Sequence, residues 1–193
     1  MKRIDLALPG VCLLEPVVHG DHRGFFSETY NERTFAGLGI AHRFVQDNHS
    51  RSTAGVLRGL HWQIKQPQAK LVRVIEGEVF DIAVDIRRGS PTFGQWIGEI
   101  LSETNRRMLF VPEGFAHGFL VLSATAEFLY KVSDLWYPEG ERGFRFDDPT
   151  VGIRWPELMA APTLSKRDAA WGNLADLSAH DLFTWNPANP HGI

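Results

Sequence analysis

Apolar residues fall in short runs along this chain, each bounded by glycine, proline or polar turn residues. The clearest run covers 78–87, where Phe80, Ile82, Val84 and Ile86 share one parity and Asp81 and Asp85 the other. A period of two predicts a strand with one face in a core and the other in water. Further strands are predicted over 11–18, 24–30, 44–48, 56–63, 69–76, 96–101, 107–111, 115–122 and 126–133, with Gly-Ser-Pro at 89–91 and Pro-Glu-Gly at 112–114 between them. Helical signals are few. Asn31 caps a short helix through Leu38 that Gly39 stops, and Ser165-x-x-Asp168 opens another over 166–171 as a capping box. A second such pair, Ser178-x-x-Asp181, lies further on. About ten strands with a few short helices, mainly near the C-terminus, predict an all-β domain: a sandwich, a jelly roll or a barrel.

Composition narrows the class of protein. The 193 residues are 44% hydrophobic and 11% aromatic, enough for a substantial core and too aromatic for a disordered chain. The length suggests one domain over 1–193, with 173–193 as a peripheral tail. A net charge of −3 and a pI near 6.2 argue against nucleic acid or an anionic membrane as the partner. Cys12 is the only cysteine, which excludes an intrachain disulfide and a Cys-rich zinc site; its thiol is expected to pack as a small hydrophobe. No apolar run approaches the ~18–20 residues of a membrane helix. The first ten residues lack the apolar core and cleavage site of a signal peptide, so a cytoplasmic location is expected. Walker, Gly-x-Gly-x-x-Gly, Gly-x-Ser-x-Gly and His-Glu-x-x-His motifs are all missing.

Several residues are candidates for chemistry, each with an ordinary alternative. Val-Leu-Arg-Gly-Leu-His-Trp-Gln at 56–63 puts Arg58 and His61 in one apolar strand. Strict alternation sends them to opposite faces, as a surface Arg and a core His; a bulge at Gly59 would turn both inward. Lys70 and Arg73 have opposite parity, so one of them faces inward unless both lie on a solvated edge. His117 follows a rigid Pro-x-Gly turn and is either a ligand or base, or a core histidine. Tyr130 shares its face with Phe128 and Val132; its hydroxyl is either a proton donor or bonded to backbone. Asp168 either completes its capping box or serves a site. Arg23, in Gly-Asp-His-Arg-Gly, is an ordinary turn charge on local grounds, with Glu28 on the strand that follows. Trp136 and Tyr137 are core or a stacking platform, while Glu139, Glu141 and Arg142 look like solvated loop.

Two spacings bring these segments together. Gly55-x5-His61 with Lys70-x6-Gly77 resembles the first motif of the cupin superfamily, and Pro112-x-Gly114-x-x-His117 its second. Metal-binding cupins carry His-x-His and a glutamate in the first motif; here Gln63 and Lys70 stand at two of those positions. An ammonium repels a divalent ion at close range, so a metal-free site is expected. From about residue 3 to 172 the chain further resembles the dTDP-4-dehydrorhamnose 3,5-epimerase family. The matching stretches include Gly20-Asp-His-Arg-Gly-Phe-Phe-Ser-Glu, Phe44-Val-Gln-Asp-Asn-His-Ser, Pro112-Glu-Gly-Phe-Ala-His-Gly-Phe, Phe128-Leu-Tyr-Lys and Leu164-Ser-Lys-Arg-Asp.

That resemblance implies a cupin jelly-roll barrel, a dTDP-linked 4-keto-6-deoxy sugar as substrate and a reaction that requires no cofactor. It implies His61 as the base, Asp168 as its supporting carboxylate, Tyr130 as the acid and Lys70 as the cation that stabilises the enolate. Arg23, Arg58 and Arg167 are implied for the diphosphate, and Glu28, Gln46, Asn48, Ser50 and His117 for sugar and nucleotide hydrogen bonds. Phe26 and Trp136 are implied for packing on the thymine or sugar; Trp136 stands where a tyrosine is common. A homodimer is also implied, in which the N-terminal strand joins the partner's sheet and Arg23 acts across the interface. Two other readings fit the same residues: an epimerase acting at only one carbon, or a catalytically silent sugar-binding cupin.

Overall fold

The structure is a computed structural model that describes residues 1–157 and 160–189. In chain order the strands are β1 (Lys2–Asp5), β2 (Cys12–Glu15), β3 (His19–Asp21), β4 (Gly24–Phe26), β5 (Gln46–Thr53), β6 (Leu57–Gln63), β7 (Lys70–Glu76), β8 (Glu78–Asp85), β9 (Arg87–Arg88), β10 (Trp96–Ser102), β11 (Met108–Val111), β12 (Phe115–Val121), β13 (Thr125–Val132), β14 (Glu141–Gly143) and β15 (Phe183–Thr184). One α-helix, α1 (Glu32–Gly37), starts where expected, with the Asn31 side chain accepting from the N–H groups of Arg33 and Thr34.

A six-stranded sheet runs β1-β2-β11-β7-β13-β5 and a five-stranded one runs β10-β8-β12-β6-β14. From β5 to β8 and from β11 to β14, successive strands alternate between the two sheets. This is the expected jelly roll. Its interior core takes Val72 and Val74 from one sheet and Val79, Ala83 and Phe119 from the other. Cys12 packs with Leu14, Leu71 and Met108 under the Phe35 ring of α1, and burial pushes its thiol up to about 11.

Three expectations are corrected. The strand from residue 78 is not half solvated: Asp81 and Asp85 are fully buried. Val79, Asp81, Ala83 and Asp85 form its interior face, while Ile82, Val84 and Ile86 pack outward against Phe144, Leu174 and Phe183. A second apolar layer covers that outer face, so alternation marked two buried faces. Residues 173–189 are therefore no peripheral tail; 190–193 of the predicted tail lie outside the described residues. Leu174, Leu182 and Phe183 are core, β15 pairs with β9, and the Trp62 indole N–H donates to the Asp181 carbonyl. The predicted 166–171 helix shrinks to a single 3₁₀ turn at Asp168–Ala170, and Ser178 closes only a turn on Asp181.

Candidate active site

A cavity of about 400 Å³ opens between the sheets. Arg58, His61 and His117 reach it from β6 and β12 of one sheet, and Asn48, Ser50, Lys70 and Tyr130 from β5, β7 and β13 of the other. Phe128 and Phe119 stack at 4.1 Å in its wall.

Gly59 explains how Arg58 and His61 both line it. Along β6 and β12, His61 pairs with His117 and Arg58 with Phe119, so Gly59 and Leu60 oppose Gly118 alone. This is a β-bulge, which resets the parity of β6. Gly59 has φ +106, and a Cβ there would lie 2.6 Å from the Gly118 Cα and the His117 oxygen. Only glycine fits. Arg58 is then anchored from β5, with its Nε donating to the Ser52 hydroxyl at 3.1 Å.

Two histidine–carboxylate pairs face the cavity. His61 Nε2 lies 2.5 Å from Asp168 Oδ1. Asp168 donates its backbone N–H to the Ser165 hydroxyl at 3.0 Å, and its carboxylate takes hydrogen bonds from both His61 and Ser165. Burial opposes ionisation of Asp168, but hydrogen bonding and charge from His61 prevail and hold its carboxyl below the usual range. His117 Nε2 lies 2.9 Å from Asp81 Oδ1, deep in the barrel. Burial dominates this pair, pushing Asp81 up and His117 down, toward the neutral forms.

Lys70 Nζ reaches the His61 carbonyl at 3.4 Å. Burial pulls its ammonium down to about 8, against the opposing pull of Glu141 and Asp81. Arg73, of opposite parity, points to the outer face of the sheet beside Leu71 and Met108. Burial also raises the Tyr130 hydroxyl, with Arg58 working against it.

Trp136 stands at the rim, 58% exposed. Gln63 holds its loop: the side-chain oxygen accepts from the Tyr137 N–H at 2.7 Å and the amide donates to the carbonyls of Gln66 and Leu135. Gln46 lies outside the cavity lining and binds the Trp136 N–H and Asn48. The structure does not bring Arg23, Phe26 or Glu28 to this cavity. Arg23 pairs with Asp21 on the β3–β4 hairpin, Phe26 is 70% exposed there, and Glu28 holds Asn31 at the start of α1. β1 pairs with the chain's own β2.

Sequence reasoning missed Glu141 and Asp81. Glu141 was expected in solvated loop, yet it lines the cavity, with Oε2 2.5 Å from Arg167 Nη1 and Oε1 3.9 Å from His61 Nδ1. Short β14, pairing Glu141 with Gln63 and Gly143 with His61, carries it inward. Lys70 stands in the cavity and Gln63 is spent on the Trp136 loop, so neither offers a metal donor. Among the described residues no group of three or more His, Cys, Asp and Glu is placed to hold a metal ion, and no helix is long and apolar enough to cross a membrane.

The family model described as dTDP-4-dehydrorhamnose 3,5-epimerase matches residues 5–176. The dTDP-4-dehydrorhamnose 3,5-epimerase of Pseudomonas aeruginosa is 59% identical over 177 residues, covering 91% of this chain and 97% of that protein. The 3,5-epimerase of Legionella pneumophila, solved in complex with dTDP-4-keto-L-rhamnose, superposes with a TM-score of 0.93 at 50% identity, covering 96% of this chain and 98% of that one. A 3'-monoepimerase from Streptomyces bikiniensis, solved with dTDP-quinovose, is further off at 34% identity and a TM-score of 0.85, covering 93% and 91%.

Proposed function

This chain belongs to the dTDP-4-dehydrorhamnose 3,5-epimerase family, and from that premise we propose that its cavity inverts carbons 3 and 5 of dTDP-4-dehydro-6-deoxy-D-glucose, giving dTDP-4-dehydro-L-rhamnose. The observation that carries this reading is the placement of His61 and Tyr130 on opposite sheets across one cavity. A sugar ring held between them meets a base on one face and an acid on the other, which is what inversion at carbon requires.

The carbonyl at carbon 4 acidifies the protons on carbons 3 and 5. His61 takes one of them, and Asp168 steadies the imidazolium that forms. The electron pair moves into an enolate whose oxygen is stabilised by the Lys70 ammonium. Tyr130 returns a proton from the other face, and the same groups serve both carbons because both flank carbon 4. Apolar walls at Phe119 and Phe128 keep water out and strengthen these charges. Arg58 and Arg167 suit the diphosphate, since guanidinium forks match its oxygens. Asn48, Ser50 and His117 supply hydrogen bonds, and the exposed Trp136 ring suits stacking on the base. The net charge of −3 is an average over the chain, while the cavity lining gathers Arg58, Lys70 and Arg167 against the carboxylates of Glu141 and Asp168.

Arg23, Phe26 and Glu28 enter through a homodimer in this reading. Phe25 and Phe26 are 61% and 70% exposed on the β3–β4 hairpin, an apolar pair that a partner chain would cover. The N-terminal segment would carry that hairpin to the partner's cavity. Sedimentation should give a dimer, and a monomer with full activity would refute the assignment of Arg23.

The reaction is tested by incubating the protein with dTDP-4-keto-6-deoxyglucose in deuterated water. Label at both carbons 3 and 5 supports double inversion. Label at one carbon favours the single-site reading that similarity to the monoepimerase keeps in view. No label would refute the enzyme and leave a sugar-binding protein.

A further inference from the structure

Two carboxylates line the cavity, Asp168 and Glu141. Asp168 is committed to His61 Nε2. That leaves Nδ1 as the nitrogen open to substrate, and Glu141 Oε1 stands 3.9 Å from it, beyond hydrogen-bond distance. The other oxygen of Glu141 is held by Arg167 at 2.5 Å. Arg167 is 53% exposed at the cavity edge, whereas the Glu141 side chain is 14% exposed. Glu141 engages that guanidinium through Nη1, and its fork also matches the oxygens of a diphosphate, whose higher charge competes with the carboxylate for it.

We propose that Arg167 is shared between Glu141 and the substrate's diphosphate, so that substrate binding frees Glu141 to act as a positioning residue beside His61 Nδ1. This rests on the nucleotide-sugar reading above. In the free protein the Arg167 guanidinium compensates the charge of Glu141. Once the diphosphate takes Arg167, the carboxylate stabilises the imidazolium that proton abstraction produces. The far end of the substrate thereby strengthens the base only when a reactant is in place. Lys70 from β7, Arg58 from β6, His117 from β12, Tyr130 from β13 and Asp168 from its turn also face His61 or its cavity. Their influence is common to the native chain and to the variants below.

The test uses the whole protein with ¹⁵N-labelled histidine, and dTDP as a probe that cannot react. The ring signals of His61 report the ratio of imidazolium to imidazole at neutral pH. Saturation with dTDP should raise that ratio on the order of 10-fold in the native chain, the effect of a carboxylate newly unmasked within ~4–6 Å. In Glu141→Gln the rise should fall below half of that on a logarithmic scale. Arg167→Met should raise the ratio in the free protein, and adding Glu141→Gln to it should cancel that rise. Equal responses of the native chain and Glu141→Gln, with dTDP bound to both, would overturn the proposal alone. Failure of dTDP to bind the native chain would overturn the nucleotide-sugar reading, and this proposal with it.

Discussion

His61–Asp168 and His117–Asp81 use the same two side-chain types, sit opposite each other in one ladder and face one cavity. Their carboxylates come from different places. Asp168 arrives on a turn outside the barrel, close to Arg167, and its carboxyl stays below its usual range. Asp81 belongs to β8 within the barrel, and burial pushes it up. A charged carboxylate supports an imidazole that must become an imidazolium. A desolvated pair favours neutral forms and suits a fixed hydrogen bond. Environment, and not residue identity, separates the proposed base from the proposed binding group.

Removing each histidine should break the comparison most sharply. His61→Ala should lower turnover by about 10²–10⁴-fold, the usual worth of a general base. His117→Gln, with a hydrogen-bonding group retained, should cost roughly 10-fold, mostly in KM. Steady-state rates on dTDP-4-keto-6-deoxyglucose measure both, and equal losses would put the two histidines in one role.

Gly59→Ala tests the frame that sets them opposite each other. At φ +106, with a Cβ 2.6 Å from the Gly118 backbone, the variant should lose about 2–3 kcal/mol in urea unfolding. Its activity should fall further than its folded fraction does, because Arg58 and His61 both depend on the bulge.

The pH profile sharpens the electrostatic half of the comparison. Lys70 carries its charge below about 8, so turnover should fall as pH rises through that value. Tyr130→Phe should lower the rate and keep the same alkaline limb, since burial holds the Tyr130 hydroxyl above its ordinary range.

The smallest effect is on stability. Asp168 is held low, so its pairing stabilises the fold above the ordinary carboxylate range and is lost as pH falls through its folded value. Asp81 is held high, so its contribution is present in acid and lost as pH rises through its folded value. At neutral pH, Asp168→Asn should therefore destabilise by about 1 kcal/mol, and Asp81→Asn should be neutral or stabilising. The difference should shrink in acid, as urea unfolding at two pH values would register.

Much of this was legible in the sequence because strand parity is a local property. Tyr130 does share the interior face with Phe128, Lys70 and Arg73 do part company, and the glycine between Arg58 and His61 is the bulge. Parity fails where a second layer covers a strand, which is why Asp81 looked solvated. It is silent where a loop folds back over the barrel. Glu141 enters on a three-residue strand whose sequence carries no apolar signal, and the packing of Leu174, Leu182 and Phe183 depends on a distant face of β8. Arg23, Phe26 and Glu28 matched a motif, but no property of a single chain carries them to its own cavity.

The most direct measurement is deuterium uptake from solvent into dTDP-4-keto-6-deoxyglucose by three proteins: the native chain, His61→Ala and His117→Gln. The native chain should label carbons 3 and 5, His117→Gln should do so once substrate is raised to saturation, and His61→Ala should label neither. Native-like labelling by His61→Ala, or its loss in His117→Gln at saturation, would contradict the division between the two pairs.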